Sequence, residues 1–183
     1  PQVVYKEVPA KLKNNRSIVA DIGKIRKRGK LRVGYNPDGL PFSFFNAAGE
    51  LVGFDVEMAH ILANELNVDL EFVPFQFKTL ADQLNRGEFD IGMSGIDMSI
   101  SRIEALNFSD PYLELTLALI VRDYRRDEFI NIESIRKIEG LTLTLVKDES
   151  YVQRIEKVLP GVEVIGLESN REIFERNVGS WDA

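Results

Sequence analysis

The 183-residue chain holds a single histidine, His60, and no cysteine. A thiolate nucleophile, a disulfide framework and a Cys-based metal site are therefore excluded. One imidazole also argues against a His-rich metal site or a conventional Ser-His-Asp triad. Met58, Met93 and Met98 lack metal-ligand spacing and read as core or loop filler, so no cofactor is expected. The groups left for chemistry are carboxylates, a guanidinium, hydroxyls, an amide and aromatic rings, and they fall in short runs. Asn36 stands in one, Phe42 in a second, Phe75 and Phe77 in a third. Ser94, Gly95, Asp97 and Arg102 form a fourth, and Asp148-Glu149-Ser150 a fifth. A guanidinium offers two parallel N–H donors to a carboxylate or phosphate. An aromatic face can stack on a ligand or attract a cation. Acidic residues such as Asp148 and Glu149 suit the first turn of a helix.

The elements that must position these groups follow from periodicity. Residues 1–16 lack clear periodicity, contain Pro1 and Pro9, and read as a linker. Ser17 can cap a short helix carrying Ile18, Val19, Ile22 and Ile25, closed by Gly29. Leu31 to Tyr35 alternates as a strand. The hydrophobic pairs on either side of 46–50 suggest a hairpin. Asp55 can then cap a helix burying Val56, Ala59, Ile61 or Leu62, Ala63 and Leu66. Residues 69–74 read as a second strand, Leu80 to Leu84 as a short helix closed by Gly87, and Phe89 to Met93 as a third strand. Strand, hairpin, helix, strand, helix, strand is the order of an α/β unit with a parallel sheet. A short helix near Arg102 to Leu106 follows, then a turn at 109–112 and a long β-rich stretch, Leu115 to Arg122. Beyond it lies a second, smaller pattern: a helix at 132–138, a strand at 141–146, a helix at 150–158, a strand at 162–165 and a helix at 170–177. The expected organisation is a linker over 1–16, a first α/β lobe over 17–113, a crossover over 114–122 and a second lobe over 123–183. Ligands of open α/β sheets collect at the carboxyl ends of the strands, and a cleft between lobes is a common pocket. Asn36, Phe77, and the run from Ser94 to Arg102 all fall just after strands of the first lobe.

Composition narrows the class. With 44% hydrophobic and 28% charged residues the chain is globular, and disordered or low-complexity classes are excluded. The longest apolar stretch, 113–121, includes Glu114 and Thr116 and is about half of the ~20 residues a membrane-spanning helix needs. The chain opens at Pro1 without a basic and apolar leader, so its start is expected to be a processed end or a cut boundary. Charge is divided unevenly. Residues 1–30 carry nine Lys/Arg against two acids, whereas 31–183 carry 14 basic against 27 acidic residues. A basic leader can rest on anionic lipid or nucleic acid, but the acidic body argues against a nucleic-acid-binding domain.

Taken in order, Leu31-Arg-Val-Gly34, Pro41-Phe42, Gly49-Glu-Leu-Val-Gly-Phe-Asp55, Phe89-Asp-Ile91, Ser94-Gly95, Arg102 and Phe108-Ser-Asp-Pro-Tyr112 resemble family 3 of the extracellular solute-binding proteins. These are the polar-amino-acid receptors of bacterial ABC importers. The resemblance runs from about Lys24 to the end. It implies a bilobal α/β fold of the type II periplasmic-binding class and an extracytoplasmic domain, periplasmic and in some settings membrane-tethered. Such a domain captures a small polar solute and hands it to a membrane transporter, without catalysis. The opening residues Val3 to Pro9 also resemble the stretch that joins a dicarboxylate/cation symporter to a fused binding domain. The family chain normally crosses back to finish its first lobe, so the second lobe here is expected to be incomplete.

The same resemblance implies the site. An arginine at the position of Arg102 pairs with the ligand α-carboxylate. The residue five before it is usually Ser or Thr but here is Asp97, whose charge would repel an anionic ligand unless it turns away or meets a cationic or neutral group. Ser94 and Gly95 belong to the same loop. Phe77 aligns with an aromatic or apolar wall, and Phe42 packs beside it. Asn36 stands where several members carry an acid for the ligand amine. In the second lobe, a helix N-terminus that normally receives the carboxylate carries Asp148, Glu149 and Ser150, which favours a more positive ligand. Two further readings remain open: an enzyme on this fold of the cyclohexadienyl dehydratase type, with Glu149 as its acid, and a sensor domain with a degenerate cleft.

Overall fold

The computed structural model describes residues 1–13, 21–116, 118–146, 149–168 and 172. Side chains 13, 100, 101, 149 and 150 also lie outside the description. The chain divides into two compact units, Pro1–Phe108 and Ser109–Ala183.

The first unit opens with strand β1, Gln2–Val4, and a single helical turn, α1, Ala10–Lys13. The expected linker therefore joins the fold. Its residues pair in parallel with a strand far along the chain, matching Val3 to Glu71 and Val4 to Phe72, and Leu12 is only 2% exposed. Sheet pairing, not side-chain alternation, orders this segment, which is why periodicity missed it. Helix α2, Ile22–Arg28, is capped by Asp21, whose Oδ1 accepts from the Gly23 N–H at 2.8 Å. The expected cap, Ser17, lies outside the described residues. Gly29 closes the helix in the left-handed conformation with φ 71°, as a C-terminal glycine does without strain.

Strand β2, Lys30–Tyr35, leads to a three-stranded antiparallel sheet made of β3, Asp38–Gly39, β4, Ser43–Phe45, and β5, Leu51–Val52. Helix α3, Phe54–Leu66, then crosses to strand β6, Asp69–Pro74. A 3-10 turn at Phe77–Thr79 runs into α4, Leu80–Asn85, followed by β7, Ile91–Gly92, and α5, Ile100–Ala105. The larger sheet has the order β1-β6-β2-β7, and every pairing in it is parallel.

Alternation divides this sheet into two faces. Leu31, Val33, Tyr35, Leu70 and Phe72 join Ile25, Val56, Ala59 and Ala63 in one core. Val73, Phe75, Leu80 and Phe89 form a second with Leu12. Glu71 points away from the first core and is 2% exposed, yet it is not isolated. Lys30 Nζ reaches its Oε1 at 2.8 Å and Arg32 Nε its Oε2 at 3.0 Å, while the Tyr5 hydroxyl donates at 3.4 Å. Burial alone would raise this carboxyl, but hydrogen bonds and charge from Lys30 and Arg32 outweigh it and hold Glu71 below the usual carboxylate range. Tyr35 is fully buried with its hydroxyl donating to the Tyr5 carbonyl at 2.8 Å, and burial pushes its pKa up to about 12.

The second unit has a 3-10 segment at Asp123–Phe129, helix α6 at Ile132–Ile135, strand β8 at Thr142–Val146, helix α7 at Glu149–Val158 and strand β9 at Glu163–Leu167. β8 and β9 pair in parallel, and Leu143, Leu141, Ile135 and Leu159 bury a small core beneath them. The β-rich stretch expected over 115–122 contains no strand among its described residues. Leu115 is 67% exposed and Ile120 73% exposed. β-branched composition favours a pleated surface only where a ladder and a core are present to receive it. The helix expected over 170–177 lies outside the described residues.

Candidate functional site

Because β2, β6 and β7 are parallel neighbours, with Tyr35 opposite Pro74 and Gly34 opposite Gly92, the residues that follow each strand come to one edge of the sheet. Asn36 follows β2, Phe77 follows β6, and Ser94, Gly95, Asp97 and Arg102 follow β7. This is the carboxyl edge where open α/β sheets receive ligands.

Arg102 sits in α5 with its side chain mostly covered. Its Nη1 pairs with the carboxylate Oδ1 of Asp97 and also approaches the Asp97 carbonyl at 3.4 Å. The guanidinium carbon lies 5.1 Å from the centre of the Phe77 ring. Phe77 is 39% exposed and meets Phe75 edge-on, at 5.6 Å and 85°. Arg102, Asp97 and Phe77 thus form one constellation: a guanidinium laid against a ring and paired with a carboxylate five residues earlier. Asp97 does not turn away: the arginine expected to stand ready for a ligand carboxylate is already paired with a carboxylate of its own chain.

Behind this constellation lies a closed set of hydrogen bonds. The Ser43 hydroxyl donates to the Asn36 carbonyl at 2.7 Å, and the Asn36 N–H donates to Ser94 Oγ at 3.2 Å. Ser94 therefore turns its own proton to Ser43 Oγ, 2.5 Å away. Ser94 is buried, so its side chain fastens the loop. The Asn36 Oδ1 is likewise used locally, accepting from the Asp38 N–H at 2.8 Å. Gly95 has φ 62°, and a Cβ there would run into the Phe42 ring. Phe42 accordingly packs against the loop as a supporting residue. Glu149 starts α7, but its side chain and that of Ser150, like all of Asp148, lie outside the described residues.

The sequence pattern makes Asp55 a helix cap. Gly53 holds the cap position, and Asp55, 1% exposed, instead accepts a hydrogen bond from the Gly95 N–H at 2.6 Å through Oδ2. The signal in the sequence is only that this carboxylate stands between Phe54 and Val56 in the Gly-Phe-Asp run. Among the described residues there is no cluster of His, Cys, Asp and Glu that could hold a metal ion, and no helix long and apolar enough to cross a membrane. Two concavities occur away from the carboxyl edge. One of about 500 Å³ lies beside Ile135 and Pro160, and one of about 440 Å³ beside Phe45 and His60.

The fold is of the type II periplasmic-binding class, as the family match and the structural likeness below show. The chain belongs to family 3 of the bacterial extracellular solute-binding proteins, whose model matches residues 31–163. It is 33% identical over 166 residues to the glutamine-binding protein of Geobacillus stearothermophilus, covering 87% of this chain and 62% of that protein. It is similar to the crystal structure of an ancestral amino acid-binding protein described as a precursor of cyclohexadienyl dehydratase, with a TM-score of 0.77, 34% identity, and coverage of 88% and 71% of the two chains. A binding component of an ABC transporter from Wolinella succinogenes, solved with lysine, gives a TM-score of 0.76 at 29% identity, covering 85% of this chain and 66% of that one. The chain thus spans under two thirds of the glutamine-binding protein's length. The resemblance to a symporter fusion gains no support from these relatives.

Proposed function

We propose that this domain captures an amino acid for an ABC importer on the outer side of the cytoplasmic membrane, and that the Arg102–Asp97 pair is its recognition element. The observation that carries this reading is that pair, held on the Phe77 face at the carboxyl edge of a family 3 fold. A zwitterion suits such a pair better than an anion. Its carboxylate takes two parallel N–H donors of Arg102 while its ammonium takes the Asp97 carboxylate, so neither protein charge is left bare in the bound state. A simple anion would displace Asp97 and be repelled by it. A cationic side chain adds attraction in a chain of net charge -6. The relative solved with lysine accords with this.

Isothermal titration of the chain with arginine, lysine, glutamine and glutamate tests the reading. Binding of arginine or lysine, with glutamate weakest, is the expected order. Tight glutamate binding unaffected by Arg102→Ala would overturn it. Catalysis is not part of the proposal. Arogenate and prephenate should emerge unchanged from incubation with the protein, and formation of phenylalanine or phenylpyruvate would establish the dehydratase instead.

A further inference from the structure

We propose that the exposed face of α2 docks on an anionic lipid bilayer. Ile25 is the one buried residue of this helix. Lys24, Arg26 and Lys27 are all exposed. At 100° per residue, Lys27 lies almost opposite Ile25, with Lys24 and Arg26 flanking it. The three cations therefore fan across the outward half of the helix, beside Ile22, which is 57% exposed.

The neighbouring cations are already matched. Arg28 pairs with Asp90, and Lys30 and Arg32 pair with Glu71. Among the described residues, Lys24, Arg26 and Lys27 have no such carboxylate. Their charge stands against a remainder of the chain, 31–183, that carries 27 acidic and 14 basic residues. The cations of α2 thus offer a negative surface an attraction that the acidic remainder of the chain does not. A short basic face with an apolar residue at its side is the composition that lies in a lipid headgroup layer, and each Lys or Arg near such a surface strengthens binding about fivefold.

Position supports the same partner. The last turn of α2 adjoins the start of β2, and the Gly29 carbonyl accepts from the Asp69 N–H where β6 begins. The basic face thus belongs to the edge where the parallel strands start, whereas Arg102, Asp97 and Phe77 belong to the edge where they end. A bilayer held by α2 leaves the ligand edge turned to solvent.

The test is co-sedimentation of the full 183-residue chain with phosphatidylcholine vesicles, with and without phosphatidylglycerol. Binding is expected only with phosphatidylglycerol, and added salt should release it. The variant Lys24→Ala/Arg26→Ala/Lys27→Ala should bind on the order of a hundredfold more weakly, and the single change Lys27→Glu more than tenfold more weakly. A control with the same change in net charge, Arg126→Ala/Lys137→Ala/Lys157→Ala, alters exposed cations of the second unit and should bind as the parent does. Equal binding to both vesicle types, equal losses in both triple variants, or capture by polyglutamate without capture by phosphatidylglycerol would each overturn the proposal.

Discussion

The Oδ2 atom of Asp55, in the first turn of α3, accepts a 2.6 Å hydrogen bond from the backbone N–H of Gly95, in the loop after β7. A buried carboxylate in one element thereby fixes the backbone of another, and that loop leads directly to Asp97 and Arg102. Removing the carboxylate leaves a buried N–H without its acceptor. Asp55→Ala should lower stability by about 2 kcal/mol, seen as a fall in the urea midpoint. It should also weaken ligand binding more than Asp55→Asn does, because the amide oxygen can still accept.

Arg102→Lys separates charge from shape. The ammonium keeps the charge but cannot present two parallel donors. We expect amino acid affinity to fall at least ~10-fold, about 1.4 kcal/mol, with little change in the thermal midpoint. Asp97→Ser removes the competing carboxylate, so it should improve glutamate binding while weakening arginine and lysine. Titration calorimetry on both variants reads these opposite signs.

Gly95→Ala should destabilise by more than 1 kcal/mol, since it places a Cβ at φ 62° and against the Phe42 ring. Phe42→Ala removes only the second cause. The double variant should therefore be less unstable than the two single effects added, a coupling that a double-mutant cycle in urea measures directly.

Glu71 sets an acid limit. Its carboxyl titrates below the 4.5 of an ordinary glutamate because, against the cost of burial, Lys30 and Arg32 stabilise the charged form. The unfolded chain therefore binds a proton first as pH falls. The stability contributed by Glu71 is complete above about 4.5 and is lost as pH drops through its lower folded value. Lys30 behaves in the opposite sense. Glu71 raises it above 10.5, so its contribution is present below that value and is lost at higher pH. Glu71→Gln should flatten the acid limb of a stability-against-pH curve, and an unchanged limb would place the dependence elsewhere.

The parallel first lobe was legible in sequence because its strands and helices carry their own period. Leu31, Val33 and Tyr35 alternate, and Val56, Ala59 and Ala63 fall on one helical face. The described residues of 1–16 and of 115–122 depart from the sequence pattern in opposite directions for a shared reason, since strand formation depends on a partner. Gln2 to Val4 gain one in β6, while the described residues of 115–122 have none. At the site, residue types located the loop after β7, and the resemblance singled out Arg102. The division of labour inside the loop was hidden. Ser94 looks like a ligand hydroxyl but is locked to Ser43 and Asn36, and Asp55 looks like a cap but holds Gly95. Both facts depend on contacts between residues about 40 to 60 positions apart, which no local pattern encodes.

The pairing of β1 with β6 joins residues 2–4 to 70–72. Until β6 has been made, Val4 and Leu12 have no core to pack against, and they must wait for it to emerge. Closing so long a loop is entropically slow. This outer strand should thus be added last, and nascent chains that stall before Phe72 should leave residues 2–12 open to chaperones.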